Sequence, residues 1–403
     1  MKVVWILNHY AVLPDESGST RHYLLAKGIL NEGWQTIILA SSFSHWNKLQ
    51  RFKGFHLFQD RTEKSIIFRF IKTPGYLSNN LLRILNMVAY FLNILIPAST
   101  SGLPRPDIIV GSSVHPLAAL AAALLAKKYH VPFVFEVRDL WPETLIAMNR
   151  ILENGFVANL LGRLERFLYT RADKIIVLLP NAHTYIEKFN VNTDKIKWIP
   201  NGVAINNSSV TVKRAEVFTI MYLGSHGEAN AIEIIIEAIK LLRTRPLPVS
   251  ILFRFIGEGE MKEKLINMAK EYGLENVSFE QGVPKNDVSD ILSEADAFLI
   301  SVRNLPRLYQ YGVSMNKIYE YMSNGKPVIC ALSAANNPVK EANAGITVEA
   351  ENPILISDAI EKLITMSDEE RSVLGRNGRS YVKQNHDYKI LAQSFNNILN
   401  ELI

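Results

Sequence analysis

Residues 312–329, GVSMNKIYEYMSNGKPVI, place a hydroxyl, a cation and a carboxylate at short intervals. We expect Ser314 to cap a helix whose first turn contains Asn316 and Lys317. Free amides and the positive end of the helix dipole bind phosphate, and Lys317 adds a full charge in the same turn. Glu320 lies one turn further on the same side, where its carboxylate would accept hydrogen bonds from a ribose diol. The pattern indicates a nucleoside diphosphate site; an amphipathic helix with an incidental Lys–Glu pair is the alternative.

A second candidate lies in residues 135–143, FEVRDLWPE, which begin inside an apolar run. Asp139 directly follows the expected strand, at the carboxyl end where open parallel sheets bind ligands. Its carboxylate would orient a ligand hydroxyl or stabilise a developing positive charge, and the neighbouring Arg138 is a second catalytic candidate. A structural pair of Arg138 with Asp139 is the alternative. His115, in GSSVHP after another apolar run, is a further catalytic candidate, although a single histidine is more often structural.

A third candidate is a glycine loop before the first helix, whose amides would meet an acceptor phosphate or a donor diphosphate. Its residues are Gly18, Ser19, Thr20 and Arg21.

Other ligand classes are excluded by their missing motifs. Residues 257–259, GEG, lack the third glycine of a dinucleotide fingerprint because position 262 is a lysine. No Walker A pattern occurs, and no two aspartates are separated by a single residue. We therefore expect no cofactor and no metal, with Lys317 and the helix dipole stabilising the leaving group instead of a divalent ion.

The candidates follow strands in two successive series of strands and helices. Most apolar runs are continuous, as expected for parallel strands covered on both faces. In the first series we predict strands at 3–7, 36–40, 66–71, 108–111, 131–137 and 174–178, and helices at 20–32, 116–129 and 154–172. In the second we predict strands at 217–224, 250–256, 277–279, 297–302 and 327–332, and helices at 229–242, 260–272 and 315–324.

Two such series predict an α/β protein with two doubly wound, Rossmann-like domains. We place one domain, expected to bind an acceptor, at residues 1–203 and a second, expected to bind the nucleotide donor, at 211–387. The two are divided within the polar stretch 200–213. A last helix over 388–403 is expected to pack back on the first domain. Because ligands bind beyond the carboxyl ends of strands, two facing sheets of this kind would enclose a central cleft.

Composition agrees with this class. The chain has 403 residues, which is more than one typical hydrophobic core accommodates, so two domains are expected. Of these residues 48% are hydrophobic and 21% are charged, a composition that argues against disorder. The single cysteine, Cys330, excludes a disulfide framework and favours a reducing cytoplasm. The apolar run at residues 3–7 is too short for the core of a signal peptide.

The net charge of +5 is concentrated in one segment. A cationic patch there suits lipid headgroups, a diphosphate or nucleic acid, and a solvated basic loop is the alternative. Between residues 42 and 83 the basic residues are Lys48, Arg51, Lys53, Arg61, Lys64, Arg69, Lys72 and Arg83, opposed by Asp60 and Glu63.

Residues 81–97, LLRILNMVAYFLNILIP, are nearly long enough to suggest a membrane span. However, polar residues recur every three or four positions and form one stripe, while the opposite face is wholly apolar. An amphipathic helix lying in a membrane interface fits better than a span. The alternative is a helix that packs its apolar face on the protein's own sheet. The polar stripe consists of Asn79, Arg83, Asn86, Tyr90 and Asn93.

The donor segment NKIYEYMSNGKPVI resembles the signature of the family 4 glycosyltransferases, which have the GT-B fold. Residues 135–143 resemble the central cleft segment of the branch that builds bacterial surface polysaccharides such as O-antigen and capsule. Other stretches agree in family order over essentially the whole chain. They are NHY at 8–10, GSTRH at 18–22, IPNGV at 199–203, YLGSHGEAN at 222–230, IGEG at 256–259 and AD at 295–296.

This resemblance implies a retaining enzyme that uses a nucleoside diphosphate sugar, usually a UDP-sugar. The chain departs from the family at Gly312, where a glutamate is common, at Arg138, where many relatives have histidine, and in the loop 224–227, which lacks the usual cations. We expect Lys317 to supply the missing charge. The expected donor-binding residues are Gly224, Ser225, His226, Gly257, Val283, Ser314, Asn316, Lys317 and Glu320.

The leading hypothesis is therefore a hexosyl- or N-acetylhexosaminyl-transferase. It would act on a lipid-linked (polyprenyl diphosphate) saccharide at the inner face of the cytoplasmic membrane, with an anionic membrane surface as partner and no nucleic acid. A sugar-nucleotide 2-epimerase of the same architecture is one alternative, although it would need neither segment 81–97 nor the basic patch. A non-catalytic nucleotide or nucleic-acid binder is another, although no nucleic-acid motif is visible.

Overall fold

The computed structural model describes residues 1–77, 81–205 and 217–403. Asn79 of the predicted polar stripe and residues 206–213 of the predicted domain junction lie outside the described residues. The chain divides into two compact units, Met1–Asn201 with Tyr388–Ile403, and Gly202–Asp387.

The described residues of the first unit form two sheets and the helices that cover them. Its strands are β1 (Lys2–Leu7), β2 (Trp34–Ser41), β3 (Phe43–Ser44), β4 (Leu49–Gln50), β5 (Phe58–Glu63), β6 (Ile66–Ile71), β7 (Ile108–Ser112), β8 (Phe133–Val137), β9 (Lys174–Val177) and β10 (Ile196–Trp198). Its helices are α1 (Arg21–Ile29), α2 (Leu81–Leu95), α3 (Pro97–Thr100), α4 (Pro116–Tyr129), α5 (Glu143–Ala147), α6 (Phe156–Arg171), α7 (Ala182–Ile186) and the C-terminal helix (Tyr388–Asn400).

The main sheet of this unit has the order β10-β9-β8-β7-β1-β2-β6-β5. Its strands are parallel except for β5, which pairs antiparallel with β6 at the edge. The central strands are buried along almost their whole length, which explains their continuous apolar sequences. The C-terminal helix packs closely on α1, since a Cβ on Gly28 would lie 2.2 Å from the Cβ of Ala392.

The strands of the second unit are β11 (Phe218–Leu223), β12 (Ile251–Ile256), β13 (Val277–Glu280), β14 (Ala297–Ser301), β15 (Val328–Ala331) and β16 (Gly345–Val348). In the described part of this unit they form one parallel sheet with the order β13-β12-β11-β14-β15-β16. Its helices are α8 (Ile232–Leu242), α9 (Lys262–Glu271), α10 (Val288–Ser293), α11 (Pro306–Tyr309), α12 (Asn316–Ser323), α13 (Pro338–Glu341), α14 (Pro353–Thr365) and α15 (Asp368–Asn385).

The prediction of two Rossmann-like α/β units is confirmed, and every strand predicted from an apolar run is present. The strands that the sequence did not indicate are short or lie at sheet edges. β5 has the polar sequence FQDRTE and is mostly exposed, and β10 has three residues. Such strands bury little apolar surface, so their sequences carry little of the pattern that marks a strand.

Candidate functional site

Two loops that follow β11 and β12 approach so closely that only glycine fits at two positions. A Cβ on Gly257 would lie 1.9 Å from the Gly224 carbonyl oxygen, and one on Gly259 would lie 2.4 Å from the backbone of His226. Gly257 also has a φ of +147°, which L-residues rarely adopt. The His226 amide donates a hydrogen bond to the Glu258 carbonyl at 2.8 Å. The glycines thus bring two strand ends and their backbone polar groups together.

His226 is buried at the centre of these loops, and both of its ring nitrogens lack a hydrogen-bond partner among the described residues. Burial, together with the nearby Lys262 and Lys317, lowers its pKa to about 4. The imidazole is therefore neutral at neutral pH. Because buried polar groups are normally hydrogen-bonded, this ring has capacity for a ligand.

The helix that carries the predicted phosphate site begins at Asn316, and its N-cap is Met315 rather than Ser314. The expected Ser314 cap is therefore wrong, because Met315 occupies the N-cap position and its side chain makes no capping hydrogen bond. Amides of an uncapped helix start suit an anion. The preceding Gly312 has a φ of +94°, so a glutamate at this position would be strained.

Lys317 lies in the first turn of α12 and is held by a small polar network. Its ammonium donates to the Tyr222 hydroxyl at 2.9 Å and to the side-chain oxygen of Asn230. The Tyr222 hydroxyl and the Asn230 amide in turn donate to the Ser225 carbonyl, at 2.7 and 2.8 Å. The network therefore fixes the cation directly against the loop 224–227, whose own sequence lacks one.

Burial lowers the pKa of Lys317 to about 8, although Glu320 and Cys330 oppose the shift. Its charge is thus costly in the empty protein and would be stabilised by a bound diphosphate. Sequence reasoning missed Tyr222 and Asn230, although both lie in the stretch that carried the resemblance.

Glu320 does not pair with Lys317 as its spacing suggested. Its carboxylate accepts from the ammonium of Lys285 at 2.5 Å, and the two side chains are 19% and 29% exposed. Lys285 lies just after β13 and two residues beyond Val283, which is partly buried against the core. The structure therefore brings Glu320 and the segment of Val283 together. Because Lys285 is 35 residues away along the chain, helical spacing gave no signal for this pair.

In the first unit, Asp139 lies just beyond β8 and keeps a solvent-exposed surface. Desolvation by the surrounding protein raises the pKa of its carboxyl, and the neighbouring Arg138 partly opposes this shift. The Arg138 amide donates to the Ser113 hydroxyl at 3.1 Å, which joins the ends of β7 and β8. The carboxylate therefore lies at a fixed strand end, where desolvation makes its ionised form less stable than it would be in water.

His115 follows the neighbouring strand β7 and precedes α4. It is buried, and neither ring nitrogen has a partner among the described residues. Burial and then Arg83 lower the pKa of His115 to about 3, so the ring is neutral. Its ring contacts those of His9 and Tyr10, with centroids 4.6 and 5.9 Å away. His115 therefore belongs to the aromatic region at the end of β1.

Arg21 cannot serve as the phosphate ligand that the sequence suggested, because its guanidinium is fully buried and occupied. It donates to Glu136 at 2.8 Å and to the carbonyls of Ile199 and Pro200 at 2.9 and 2.6 Å. His22 lies 2.6 Å from the same carboxylate. These contacts hold the pKa of Glu136 well below its usual range despite burial. The group ties α1, β8 and the end of the first unit together.

The rest of the predicted phosphate loop is partly buried. Thr20 is the N-cap of α1, although its side chain makes no capping hydrogen bond. Gly18 has a φ of +127°, and a Cβ there would lie 2.5 Å from the ring of Trp46. The Ser19 hydroxyl lacks a partner among the described residues. The glycine is thus explained by the approach of Trp46, and the phosphate role of Gly18, Ser19 and Thr20 stays a prediction.

The polar stripe of helix α2 faces the interior of the first unit. The alternative stated above, in which the helix packs its apolar face on the sheet, is therefore wrong. Asn86 and Tyr90 are fully buried, and Asn86, Tyr90 and Asn93 donate to the carbonyls of Pro74, Leu39 and Lys72. The apolar face is exposed instead: Leu81, Leu82, Ile84, Leu85 and Leu92 are 49–81% exposed. No helix among the described residues is long and apolar enough to cross a membrane.

A second helix of the same unit also exposes apolar side chains. On α6, Phe156 is 82% exposed, and Val157, Leu160 and Phe167 are also exposed. Helix α4 contacts both α2 and α6, so the three helices form one layer. The sequence predicted this helix, and among Leu160, Leu161, Leu164 and Leu168 of the described helix only Leu168 is buried.

The basic segment 42–83 is less cationic than its composition suggested. Arg51, Arg61 and Arg69 form ion pairs with Glu16, Asp15 and Asp60, at 2.5, 3.5 and 2.6 Å. Within the described ranges, no group of three or more His, Cys, Asp or Glu side chains is placed to hold a metal ion.

Comparisons with known proteins agree with this two-unit arrangement. Residues 20–202 match the family model "Glycosyl transferase 4-like domain", and residues 205–381 match "Glycosyl transferases group 1". The probable glycosyltransferase WbjE of Pseudomonas aeruginosa is 22% identical over 310 residues, which are 73% of this chain and 75% of that protein.

Solved structures share the fold. The structure of HepE from Anabaena in complex with UDP and glucose has a TM-score of 0.68 at 16% identity, with 100% of both chains covered. WaaG, a glycosyltransferase involved in lipopolysaccharide biosynthesis, also has a TM-score of 0.68 at 16% identity, covering 98% of this chain and 99% of that one. Since the two family models together span nearly the whole sequence, the chain belongs to the glycosyltransferases, with a glycosyltransferase 4-like first half and a group 1 second half.

Proposed function

We propose that the protein transfers a sugar, with retention of anomeric configuration, from a UDP-sugar to a lipid-linked saccharide during cell-surface polysaccharide synthesis. The observation that carries the donor assignment is Lys317, which is fixed at the start of α12 against the loop 224–227. The UDP complex of HepE and the lipopolysaccharide role of WaaG support this choice of chemistry. Both family models describe transferases, which disfavours the epimerase alternative.

In the reaction, the bond between the anomeric carbon and the diphosphate oxygen breaks, and an acceptor hydroxyl oxygen forms the new bond. The UDP leaving group gains negative charge as the bond breaks. Lys317 and the amides of α12 would stabilise that charge, and we expect the reaction to need no metal. Glu320 would bind the ribose diol, and Asp139 would orient the sugar or stabilise positive charge on its anomeric carbon. The acceptor hydroxyl finally loses its proton, which leaves with the UDP product or passes to solvent.

The direct test is a panel of UDP-, GDP- and ADP-sugars incubated with a bacterial membrane lipid extract, with released nucleoside diphosphate measured. We expect release from a UDP-sugar that depends on the lipid extract and persists in excess chelator. The anomeric configuration of the product is read by NMR. Activity that is lost in chelator and restored by magnesium or manganese would contradict metal independence. Epimerised UDP-sugar without transfer would favour the epimerase.

Glu320 gives a sharper test of the donor site. Glu320→Gln should lower kcat/KM tenfold to a hundredfold and Glu320→Ala more, because hydrogen bonds to a charged group contribute about 1.5–3 kcal/mol each. UDP affinity should fall in parallel, as measured by calorimetry. The ion pair with Lys285 offers the competing explanation, in which the carboxylate only holds α12.

Lys285→Met separates these explanations, because it removes the ion pair and leaves the carboxylate in place. We expect the Lys285 variant to retain most UDP affinity. If both variants lose melting temperature equally and UDP binds normally to the Glu320 variants, Glu320 is structural and the ribose assignment is wrong.

We also propose that the exposed faces of α2 and α6 lie in the membrane interface. Exposed apolar helix faces bind bilayers with a strength that grows with the apolar area that they bury in the membrane. The pairs Leu81→Glu with Leu85→Glu, and Phe156→Glu with Leu160→Glu, should each reduce co-sedimentation with anionic vesicles at least fivefold. Folding of each variant is checked by circular dichroism.

Ile354→Glu is the matched control, since Ile354 is 58% exposed but lies in the second unit. High salt should weaken binding without abolishing it, because each nearby basic residue contributes on the order of 1 kcal/mol and three of the arginines are already paired. Failure of the native protein to co-sediment at low salt would show that these faces do not meet a membrane.

A further inference from the structure

Strand β11 of the second unit loses its neighbour β14 before it ends. It pairs with β12 along its whole length, but with β14 only at Ile220 and Met221. The strand order reverses between β11 and β14, and open α/β sheets bind ligands at such a point. Alternate residues of a parallel strand bond to the same neighbour. The Asp296 amide bonds to Thr219 on the β14 side, so Leu223, four residues further on, faces the same side without a strand partner.

The hydroxyl of Tyr321, on α12, takes the place of that strand partner. It accepts a hydrogen bond from the Leu223 amide at 2.7 Å and donates one to the Leu223 carbonyl at 2.8 Å. The Tyr321 side chain is fully buried, and its ring stacks on that of Phe298 in β14, with centroids 4.4 Å apart. Burial raises the pKa of Tyr321, so the hydroxyl is protonated and able to donate at neutral pH. A single hydroxyl thus satisfies both backbone groups that β14 does not reach.

Tyr321 lies one helical turn beyond Lys317, so the two side chains lie on the same face of α12. Lys317 contacts Tyr222 and Asn230, which flank the end of β11 in sequence. Helix α12 is therefore tied to the end of β11 at two successive turns. The tie made by Tyr321 is to main-chain atoms, which the sheet itself holds in place. This contact therefore determines how far the first turn of α12 lies from the loop 224–227.

Glu320, on the same helix, has an anchor of its own. Its carboxylate is paired with Lys285, which follows β13. The two side chains of α12 that the proposed function assigns to the donor are thus held by different contacts, Glu320 by Lys285 and Lys317 through the attachment of the helix to β11. Loss of the Tyr321 hydroxyl should therefore disturb the phosphate contact and leave the ribose contact in place.

We propose that Tyr321 is a positioning residue of the donor site, whose hydroxyl fixes α12 where β11 and β14 separate and so sets the point at which Lys317 meets the donor diphosphate. This inference rests on the proposed function and adds to it a residue that touches no substrate. A lysine ammonium has three N–H groups. Among the described residues, Tyr222 and Asn230 accept two of them, which leaves one for a phosphate oxygen. The place of α12 decides where that third N–H lies.

The test is calorimetric titration of the full-length native protein and of Tyr321→Phe with UDP and with uridine. Phenylalanine removes the hydroxyl and keeps the ring that stacks on Phe298. We expect UDP affinity to fall about fivefold or more and uridine affinity to change by less than about twofold, because only UDP carries the phosphates. In the transfer assay kcat should fall by a larger factor than KM rises, since Lys317 stabilises charge that develops as the bond breaks.

A double-mutant cycle with Lys317→Met shows whether Tyr321 acts through Lys317. In the Lys317→Met protein, the further change Tyr321→Phe should alter UDP affinity by less than about twofold. An undiminished loss of UDP affinity in that background would overturn the inference, because the hydroxyl would then act independently of the cation.

Tyr90→Phe is the matched control, because the Tyr90 hydroxyl is also buried and donates to a main-chain carbonyl, that of Leu39, at 2.7 Å in the first unit. Both variants should melt at a lower temperature than the native protein, since each leaves backbone without its partner. Only Tyr321→Phe should lose UDP affinity.

Two results for Tyr321→Phe would overturn the inference. Native UDP affinity together with a lowered melting temperature would show that Tyr321 only stabilises the fold. Equal losses for UDP and uridine would show a general loosening of the donor site. Native protein that fails to bind UDP would count against the proposed function, whereas normal UDP binding by both the native protein and the variant would count against this inference alone.

Discussion

Lys317→Met should lower kcat/KM for the donor by about 10²–10³-fold, the loss seen when a preorganised electrostatic contact to a developing negative charge is removed. Methionine keeps much of the volume of the side chain but not its charge. Lys317 donates to Tyr222 and Asn230 in the empty protein, so the ammonium is already in place for a diphosphate. UDP affinity, measured by calorimetry, should fall at least tenfold.

The pH dependence provides an independent check. Because burial lowers the pKa of Lys317 to about 8, kcat/KM should fall as pH rises through that value. Lys317→Arg should retain charge and shift the basic limb to higher pH. Since the ordinary pKa of lysine is 10.5, the unfolded state binds more protons between about pH 8 and 10.5. The native protein should therefore gain stability over this range, and the methionine variant should lack this gain.

Lys240→Met is the matched control for these measurements. Lys240 lies 3.8 Å from the centroid of the Tyr272 ring, a cation–aromatic contact like that of Lys317 with Tyr222, but it lies on α8 away from the donor loops. We expect its kinetics to remain native. A Lys317→Met enzyme with native kcat/KM and UDP affinity would remove the phosphate role.

Asp139→Asn should reduce kcat by about 10²–10³-fold while leaving UDP affinity nearly unchanged. The amide preserves the shape of the carboxylate but cannot stabilise positive charge at the anomeric carbon. Surrounding protein raises the pKa of Asp139, so its ionised form costs folding free energy above that pKa. The variant should thus melt at the same temperature as the native protein at neutral pH, or slightly higher.

Asp173→Asn is the appropriate comparison, because Asp173 accepts a hydrogen bond from the Phe133 amide at 2.8 Å, at the opposite end of the same strand β8. It should retain full activity. If Asp139→Asn instead loses melting temperature and keeps its kcat, the residue forms only the structural pair with Arg138 that its sequence context also allowed.

The local elements were largely determined by the sequence. Continuous apolar runs predicted the buried parallel strands, and the leucine- and alanine-rich segment at residues 116–129 predicted α4 with the bounds that the structure shows. These signals are strong because a strand or helix covered on both sides repeats its apolar residues over several positions. The glycines at 257 and 259 were visible as a motif, but their purpose required the neighbouring loop.

The partners and the orientation of side chains were decided only by the tertiary structure. The spacing of Glu320 suggested Lys317, yet Lys285 from another part of the chain forms the ion pair. Arg21 looked available, but the fold surrounds it with Glu136 and two carbonyls. Such contacts join residues far apart in sequence, so no local pattern records them.

Helix α2 shows the division most clearly. Polar residues recur every three or four positions in its sequence, so the sequence alone determined that the helix has one polar and one apolar face. Which face lies inward was decided by the carbonyls of Leu39, Lys72 and Pro74, which Tyr90, Asn93 and Asn86 satisfy. Buried carbonyls must be hydrogen-bonded. Because the polar stripe supplies the donors for these carbonyls, it faces inward, and the leucines of the opposite face are exposed.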